Sequence, residues 1–210
     1  NALDRGATGS YRTDFTQRLE KAVNELFIGS SRKTFIFSSK IDAVSAGLKI
    51  NSEGTSVYHP WHQTEINWED VECIVIEPTL PWTQNIFLLA VKDTEEHNIK
   101  FGDVMKRQIR LSSPMEAAVT RSIYNLISAL QTRQEKDWFI YDNIINQYWE
   151  RKGPYLFPKI PMDSYRAFVL HCLDLGIVIS PVYENPSIVP FGADRGVFAA
   201  LKKNPFRSEN

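Results

Sequence analysis

The chain has 210 residues, 43% of them hydrophobic and 23% charged, with a formal net charge of −1 at pH 7. These values are ordinary for a globular protein, and they lack the basic excess with which nucleic-acid-binding domains attract phosphates. No run approaches the roughly 18 consecutive apolar residues of a membrane-spanning helix. The totals therefore disfavour nucleic acid as a partner and predict no transmembrane segment.

The N-terminal segment, residues 1–32, is predicted to contain one amphipathic helix. Apolar residues recur at spacings of three and four between Asp14 and Phe27, and Asp14 with Gln17 forms a capping pair. Gly29 follows, as is common beyond the C-terminus of a helix.

A domain of short strands is predicted over residues 33–133. After Lys33 the apolar residues recur at every second position, as in β-strands. Polar or glycine-containing turns separate the strand candidates. Seven candidates follow in order: 34–39, 47–50, 56–68 (interrupted at Pro60), 71–78, 85–93, 97–101 and 107–112. The predicted connections are too short for parallel crossovers, so antiparallel pairing is expected.

A helix is predicted to end this domain. Ser113-Pro114-Met115-Glu116 has the form of a capping box, and the apolar residues from Val119 to Leu130 form one stripe. A helix with one apolar face, placed after a sheet, is expected to close the open end of a barrel.

Seven strands followed by a covering helix is the element order of a pleckstrin-homology-like (PH-like) domain. The stretch Ile66-Asn67-Trp68-Glu69-Asp70-Val71 resembles the short turn that joins the third and fourth strands of bacterial PH-like domains. The stretch from Ala46 to Ile50 resembles their second strand. The resemblance covers residues 33–131 and implies a scaffold that binds lipid headgroups, peptides or partner proteins. The loop from Ser38 to Asp42 carries one lysine where phosphoinositide-binding members carry a basic cluster, which disfavours headgroup binding.

Residues 134–210 are predicted to form a second, smaller and mainly helical domain. An aromatic-rich helix over 136–150, a helix over 163–175 and a β-hairpin turning at 181–186 follow the order of a winged helix, with a last short helix over 194–203. The helix over 163–175 carries two basic residues, Arg166 and His171, and two aspartates. This is too little positive charge for a helix that binds the phosphates of a DNA duplex. The predicted fold class is α+β: a seven-stranded antiparallel PH-like barrel closed by a helix, then a winged-helix-like domain.

The partner-binding candidates are four aromatic residues of the second domain: Trp138, Tyr141, Trp149 and Tyr155. Tryptophan and tyrosine are the residues that most often anchor protein interfaces. The alternative is that a small domain uses these large side chains to fill its own core. The sequence leaves both readings open.

Metal and catalytic sites have only weak candidates. His59 and His62 lie close to Glu65, but on an extended segment the two rings would face opposite ways unless Pro60 makes a turn. Cys73 and Cys172 each lie in an apolar run, which predicts buried, reduced thiols. No catalytic motif is recognised, so neither an enzymatic activity nor a cofactor is predicted.

The function predicted from the sequence is that of a non-enzymatic protein–protein interaction or assembly module in the bacterial cytoplasm. Its partner would be another protein or a second copy of the chain. The alternative is a membrane-surface or lipid-associated regulator acting through the PH-like domain. A DNA-binding regulator and an enzyme rank third.

Overall fold

The computed structural model describes residues 14–62, 66–78, 85–139, 142–189, 196 and 198–207. The chain divides into two units, Asn1–Thr132 and Arg133–Asn210. The first unit holds α1 (Asp14–Leu26), β1 (Arg32–Phe37), α2 (Lys40–Ile50), β2 (Ser56–Val57), β3 (Cys73–Ile76), β4 (Phe87–Lys92), α3 (Glu95–Met105) and α4 (Ser113–Thr132). The second holds α5 (Lys136–Phe139), α6 (Asp142–Ile145), β5 (Trp149–Lys152), β6 (Tyr155–Pro158), α7 (Met162–Asp174), β7 (Ser187–Ile188) and α8 (Ala199–Lys203).

The first unit is built on a mixed four-stranded sheet in the order β1-β4-β3-β2. The central strand β4 pairs antiparallel with both β1 and β3, whereas β2 runs parallel to β3. All four residues of β3 and five of the six residues of β4 are buried. Such continuous apolar strands are expected where helices cover both faces of a sheet.

Alternate residues of these strands enter two separate apolar clusters. On one face Ile74, Ile76 and Leu88 pack with Val23 of α1 and Ile123 of α4. On the other face are Phe35, Cys73, Val75 and Leu89, packed with α2 residues Ala43 and Ile50 and α3 residues Phe101 and Val104. Successive side chains of each strand point to opposite faces of the sheet, so they fill two cores, one on each side.

Helix α2 replaces a strand predicted over 47–50. Its buried residues Ala43, Ala46, Gly47 and Ile50 recur at helical spacing, and the Ser39 hydroxyl accepts from the Asp42 N–H as an N-cap. Likewise, 97–101 lies inside α3, whose N-cap Thr94 accepts from the His97 N–H. Glu95 and Glu96 lie in the first turn of α3, where negative charge interacts favourably with the helix dipole.

The predicted seven-stranded antiparallel barrel is therefore wrong. Two of its strands are helices, residues 107–112 form no strand, and the sheet is open and mixed. Within the described residues the chain is α+β, with one four-stranded and one three-stranded sheet, neither closed into a barrel. Helix α4 lies over one face of the open sheet instead of plugging a barrel, and it is tied to α1 by Thr16, whose hydroxyl donates to Glu116.

The second unit has a three-stranded sheet in the order β5-β6-β7, with both pairings antiparallel. Its core is aromatic and centres on Phe168 of α7. The ring of Phe168 lies 5.2 Å from Tyr148, 5.1 Å from Trp149 and 5.2 Å from Phe206 between centroids. Gly153, with φ at 56°, makes the turn that joins β5 to β6.

The winged-helix-like prediction for this unit is wrong as well. The predicted aromatic helix over 136–150 is divided into two four-residue helices, and Trp149 begins a strand. The hairpin lies before α7, at 149–158, whereas the sequence predicts it after the helix at 163–175, and β7 pairs with β6. The predicted last helix begins at Ala199 in the described part, and residue 194 lies outside it.

Candidate functional site

An open cleft of about 330 Å³ lies beside β2 in the first unit, and it is called the aromatic cleft below. Its walls carry mostly rings, with two aliphatic side chains: Tyr58, His59, Pro60, Trp61, Ile66, Trp68 and Leu130. Tyr58 continues the line of β2, and its N–H donates to the carbonyl of Val75 at 2.8 Å. The cleft is thus attached directly to the central sheet.

A tight turn shapes one wall of the aromatic cleft. The His62 N–H donates to the His59 carbonyl at 3.2 Å, and Trp61 has φ at 64°. Proline at the second position and a left-handed residue at the third are typical of a type II turn. Glycine usually occupies that third position, so a tryptophan there stores backbone strain, and such strain is concentrated at functional sites.

Two of the lining residues, Tyr58 and Trp68, belong to a cluster of three aromatic rings. Tyr58 meets Phe27 at 5.0 Å and Trp68 at 4.9 Å between centroids, both edge to face, and Phe27 lies 5.8 Å from Trp68. Burial raises the pKa of Tyr58 to about 12, so its hydroxyl stays protonated at neutral pH. This part of the lining is uncharged and tightly packed.

Arg32 fixes the segment that carries Trp68. Its guanidinium donates to the carbonyls of Trp68 at 2.8 Å, Val71 at 2.7 Å and Glu72 at 3.2 Å. The same group lies 5.8 Å from the centroid of Phe27, within cation–π range. One buried cation therefore holds three backbone carbonyls and one ring, and it makes the cleft wall rigid.

The weak metal candidates His59 and His62 lie on this turn. The turn brings their ring centroids to 6.4 Å, closer than an extended segment would. Burial, with smaller contributions from Lys40 and His62, lowers the pKa of His59, so that ring is neutral at pH 7. Glu65 lies outside the described residues, which contain no group of three or more metal-ligating side chains.

Three of the four predicted partner-binding aromatics lie in the interior of the protein. Trp138 is 2% exposed, Trp149 0% and Tyr155 6%, whereas Tyr141 lies outside the described residues. A partner that docks on the folded surface does not reach these rings. Their role in partner binding stays a prediction, and it would require them to become exposed.

The exposed apolar side chains described in the second unit are mostly aliphatic, although the aromatic Phe139 is 52% exposed. Leu170 and Leu173 of α7 and Val178 beyond it are exposed, while Phe168, Val169 and Cys172 of the same helix region are buried. The spacing of three between the two leucines was visible in the sequence. It was missed because the aromatic residues dominated the pattern.

Neither cysteine is placed for nucleophilic chemistry. Burial raises the pKa of Cys73 to about 11 and that of Cys172 to about 12. The neighbouring His171 turns its Nε2 to the carbonyl of Asn204 at 2.9 Å, and adjacent positions of a helix do not face each other. Both thiols are free and buried.

No protein-family model matches the chain. A Treponema pallidum (strain Nichols) protein, described only as "Uncharacterized protein", is 38% identical over 58 residues. The matched stretch covers 28% of this chain and only 19% of the length of that protein. Among the described helices, none combines the length and apolar character needed to cross a membrane.

Proposed function

We propose that this protein is a non-enzymatic interaction module that captures a short, extended, proline-containing segment of another protein in the aromatic cleft. The observation that supports this most directly is the cleft itself, with rings from Tyr58, Trp61 and Trp68 around an open volume of about 330 Å³. Tryptophan and tyrosine anchor protein interfaces, and pockets of roughly 300 Å³ are at the small end of known binding sites.

The chemistry of the lining favours an apolar partner segment. The Tyr58 hydroxyl stays protonated because its pKa is raised to about 12, and His59 is neutral because its pKa is lowered. Grooves lined by aromatic rings recognise proline-rich segments, since such segments are already extended and lose little entropy on binding. Cytoplasmic residence belongs to the same proposal, because free cysteines persist in reducing compartments.

A titration of the full-length protein tests the proposal. The probe is a decapeptide of alternating proline and leucine, and its control is the same peptide with every proline replaced by glycine. The indole N–H resonances of Trp61 and Trp68, both on the cleft wall, report binding. We expect saturable shifts with the proline peptide and weaker or absent shifts with the glycine peptide.

A matched pair of variants separates binding from folding. Ile66, 36% exposed, lies on the cleft wall, and Ile99, 85% exposed, lies on α3 away from it. Ile66→Asp places a charge in the apolar cleft and should weaken binding at least about tenfold. Ile99→Asp should leave binding unchanged, and both variants should keep the wild-type unfolding temperature. Equal binding by Ile66→Asp and wild type would show that the cleft is not the binding site.

A further inference from the structure

Helix α7 packs one side against the aromatic core of the second unit and leaves its other side exposed. The buried residues of the helix are Tyr165, Phe168, Val169 and Cys172. Three large apolar side chains are exposed, Met162 at 59%, Leu170 at 54% and Leu173 at 47%. Because they recur with Arg166 at spacings of three and four, these residues form one stripe along the helix. This stripe is called the α7 face below.

The residues of the α7 face and its border form matched pairs about Leu170. Arg166 lies four residues before Leu170 and Asp174 lies four residues after it, and both are exposed. Ala167 and Leu173 lie three residues before and after it, and both are exposed as well. The first pair joins opposite charges, and the second joins a small side chain to a large one. A surface of this kind is complementary to itself.

A second copy of α7, packed antiparallel about a twofold axis at Leu170, brings the members of each pair together. The axis places Arg166 of each copy opposite Asp174 of the other, because each contact of a twofold interface occurs twice. The two Leu170 side chains meet at the centre. Met162, at the start of α7, then lies beside the other copy's helix end, after which Val178 is 83% exposed.

The charges of the α7 face favour this direction of packing. Within one copy, the eight residues from Arg166 to Asp174 span about 12 Å of helix, so these two side chains do not pair with each other. Antiparallel packing forms two pairs of opposite charge, whereas parallel packing places like charges together. A second copy is therefore an occupant that suits both the apolar and the charged residues of this face.

We propose that the α7 face is a homodimer interface, in which two copies of this chain pack α7 antiparallel about Leu170. The interface shares no residue with the aromatic cleft, so it does not depend on the capture of a partner segment there. One helix face from each copy makes a small interface, and we expect a dissociation constant of about 10–100 µM.

Exchange of the two charged residues tests this arrangement. Sedimentation equilibrium of the 210-residue chain at about 1–300 µM measures the association. Arg166→Asp alone, or Asp174→Arg alone, places like charges opposite each other twice and should weaken dimerisation at least about tenfold. The double variant Arg166→Asp/Asp174→Arg should recover most of the wild-type affinity. An equimolar mixture of the two single variants should form heterodimers for the same reason.

A second set of variants separates association from folding. Leu170→Asp places a charge at the centre of the interface and should weaken dimerisation at least about tenfold. Ile41→Asp is the matched control, because Ile41 is 77% exposed on α2 of the first unit, and it should leave dimerisation unchanged. At about 1 µM, where the chain is monomeric, all these variants should keep the wild-type unfolding temperature.

Three results would overturn the proposal. A wild-type chain that stays monomeric at every concentration would leave the α7 face to a partner of different sequence. Dimerisation of Leu170→Asp with wild-type affinity would place the interface elsewhere. If the double variant and the mixture both unfold normally but fail to recover dimerisation, antiparallel packing about Leu170 is excluded.

Discussion

Arg32 shows how one residue can organise an entire loop. Its side chain is 1% exposed, yet it donates to three backbone carbonyls, because the segment around Trp68 and Val71 is not paired in the sheet. Burial lowers the pKa of Arg32 from its usual value, and the charge of Glu72 opposes that shift. The guanidinium stays charged at neutral pH, since arginine is not deprotonated in proteins.

Arg32→Met should therefore lower the free energy of unfolding by about 3 kcal/mol. Methionine fills much of the volume but leaves three buried carbonyls without donors. Urea denaturation measures the change, with the exposed Arg166→Met on α7 as the control. A loss below about 0.5 kcal/mol would show that the carbonyls find other donors.

The buried thiols make the stability of the protein sensitive to high pH. Burial raises the pKa of Cys73 from 9.0 to about 11. A pKa that is higher in the folded state gives stabilisation that is present below the unfolded pKa and is lost as pH rises towards the folded pKa. The relevant window for Cys73 therefore lies between pH 9 and about pH 11.

We expect the free energy of unfolding to fall by about 1 kcal/mol per buried thiol between about pH 8 and pH 10. Urea denaturation at both pH values measures the fall, and Cys73→Ala should reduce it. Other groups titrate in this range, so the informative quantity is the difference between the variant and wild type. An identical pH dependence in both proteins would show that Cys73 does not contribute.

Among the elements, α2 and α3 contain a natural pair of test positions. A Cβ added at Gly47 of α2 would lie 2.3 Å from Thr55 Oγ1, whereas one added at Gly102 of α3 would meet no atom within 4 Å. Glycine inside a helix costs about 1 kcal/mol relative to alanine, so both positions carry this cost. Only at Gly47 does the missing side chain allow another residue, Thr55, to pack closely against the helix.

Gly102→Ala should consequently raise the free energy of unfolding by about 0.5–1 kcal/mol. Gly47→Ala should lower it by about 1–3 kcal/mol, because the overlap with Thr55 outweighs the gain in helix propensity. Chemical denaturation of the two variants side by side checks the opposite signs. If both variants were stabilised, the contact between α2 and Thr55 would be looser than the structure shows.

The elements also show what sequence patterns can reveal. α1 and α4 lie where stripes of large apolar residues predict helices, because each buries one face on the sheet. The sequence predicts a strand over residues 47–50 of α2 because the buried stripe of this helix consists mainly of small residues, Ala43, Ala46 and Gly47, which carry little periodic signal. The aromatic cleft was missed for a related reason: residues 56–68 were read as extended, whereas Trp61 bends them into a turn.

For the whole molecule, the sequence could not decide between a barrel and an open sheet. That choice depends on which strands pair, and β1 pairs with β4, which lies beyond β2 and β3 along the chain. Strands with buried residues at every position are compatible with either arrangement until helices are known to cover both faces. The strands predicted over 47–50 and 97–101, which lie inside α2 and α3, therefore account for much of the error in the predicted architecture.

The fragment Asn1–Thr132 is expected to fold by itself. The residues described in the two apolar clusters of the first unit all lie between Leu19 and Ile127, so the fragment contains every described side chain of these two cores. Circular dichroism during urea unfolding should show one cooperative transition for the fragment. A gradual, non-cooperative loss of signal would contradict this expectation, and Ile123→Ala in the fragment serves as a destabilised reference.

The order of strands in the sheet also determines how long β1 must wait for its pairing partner during protein synthesis. Phe35 of β1 pairs with Leu89 of β4, which lies 54 residues further along the chain. Ribosomes add about 5–20 residues per second, so about 3–10 s pass between the synthesis of these two partners. Throughout that interval the segment Phe35-Ile36-Phe37 has no strand to pair with, although all three side chains are buried in the finished protein. A nascent chain stalled before β4 would therefore present this segment to chaperones, or to other unfinished copies of itself.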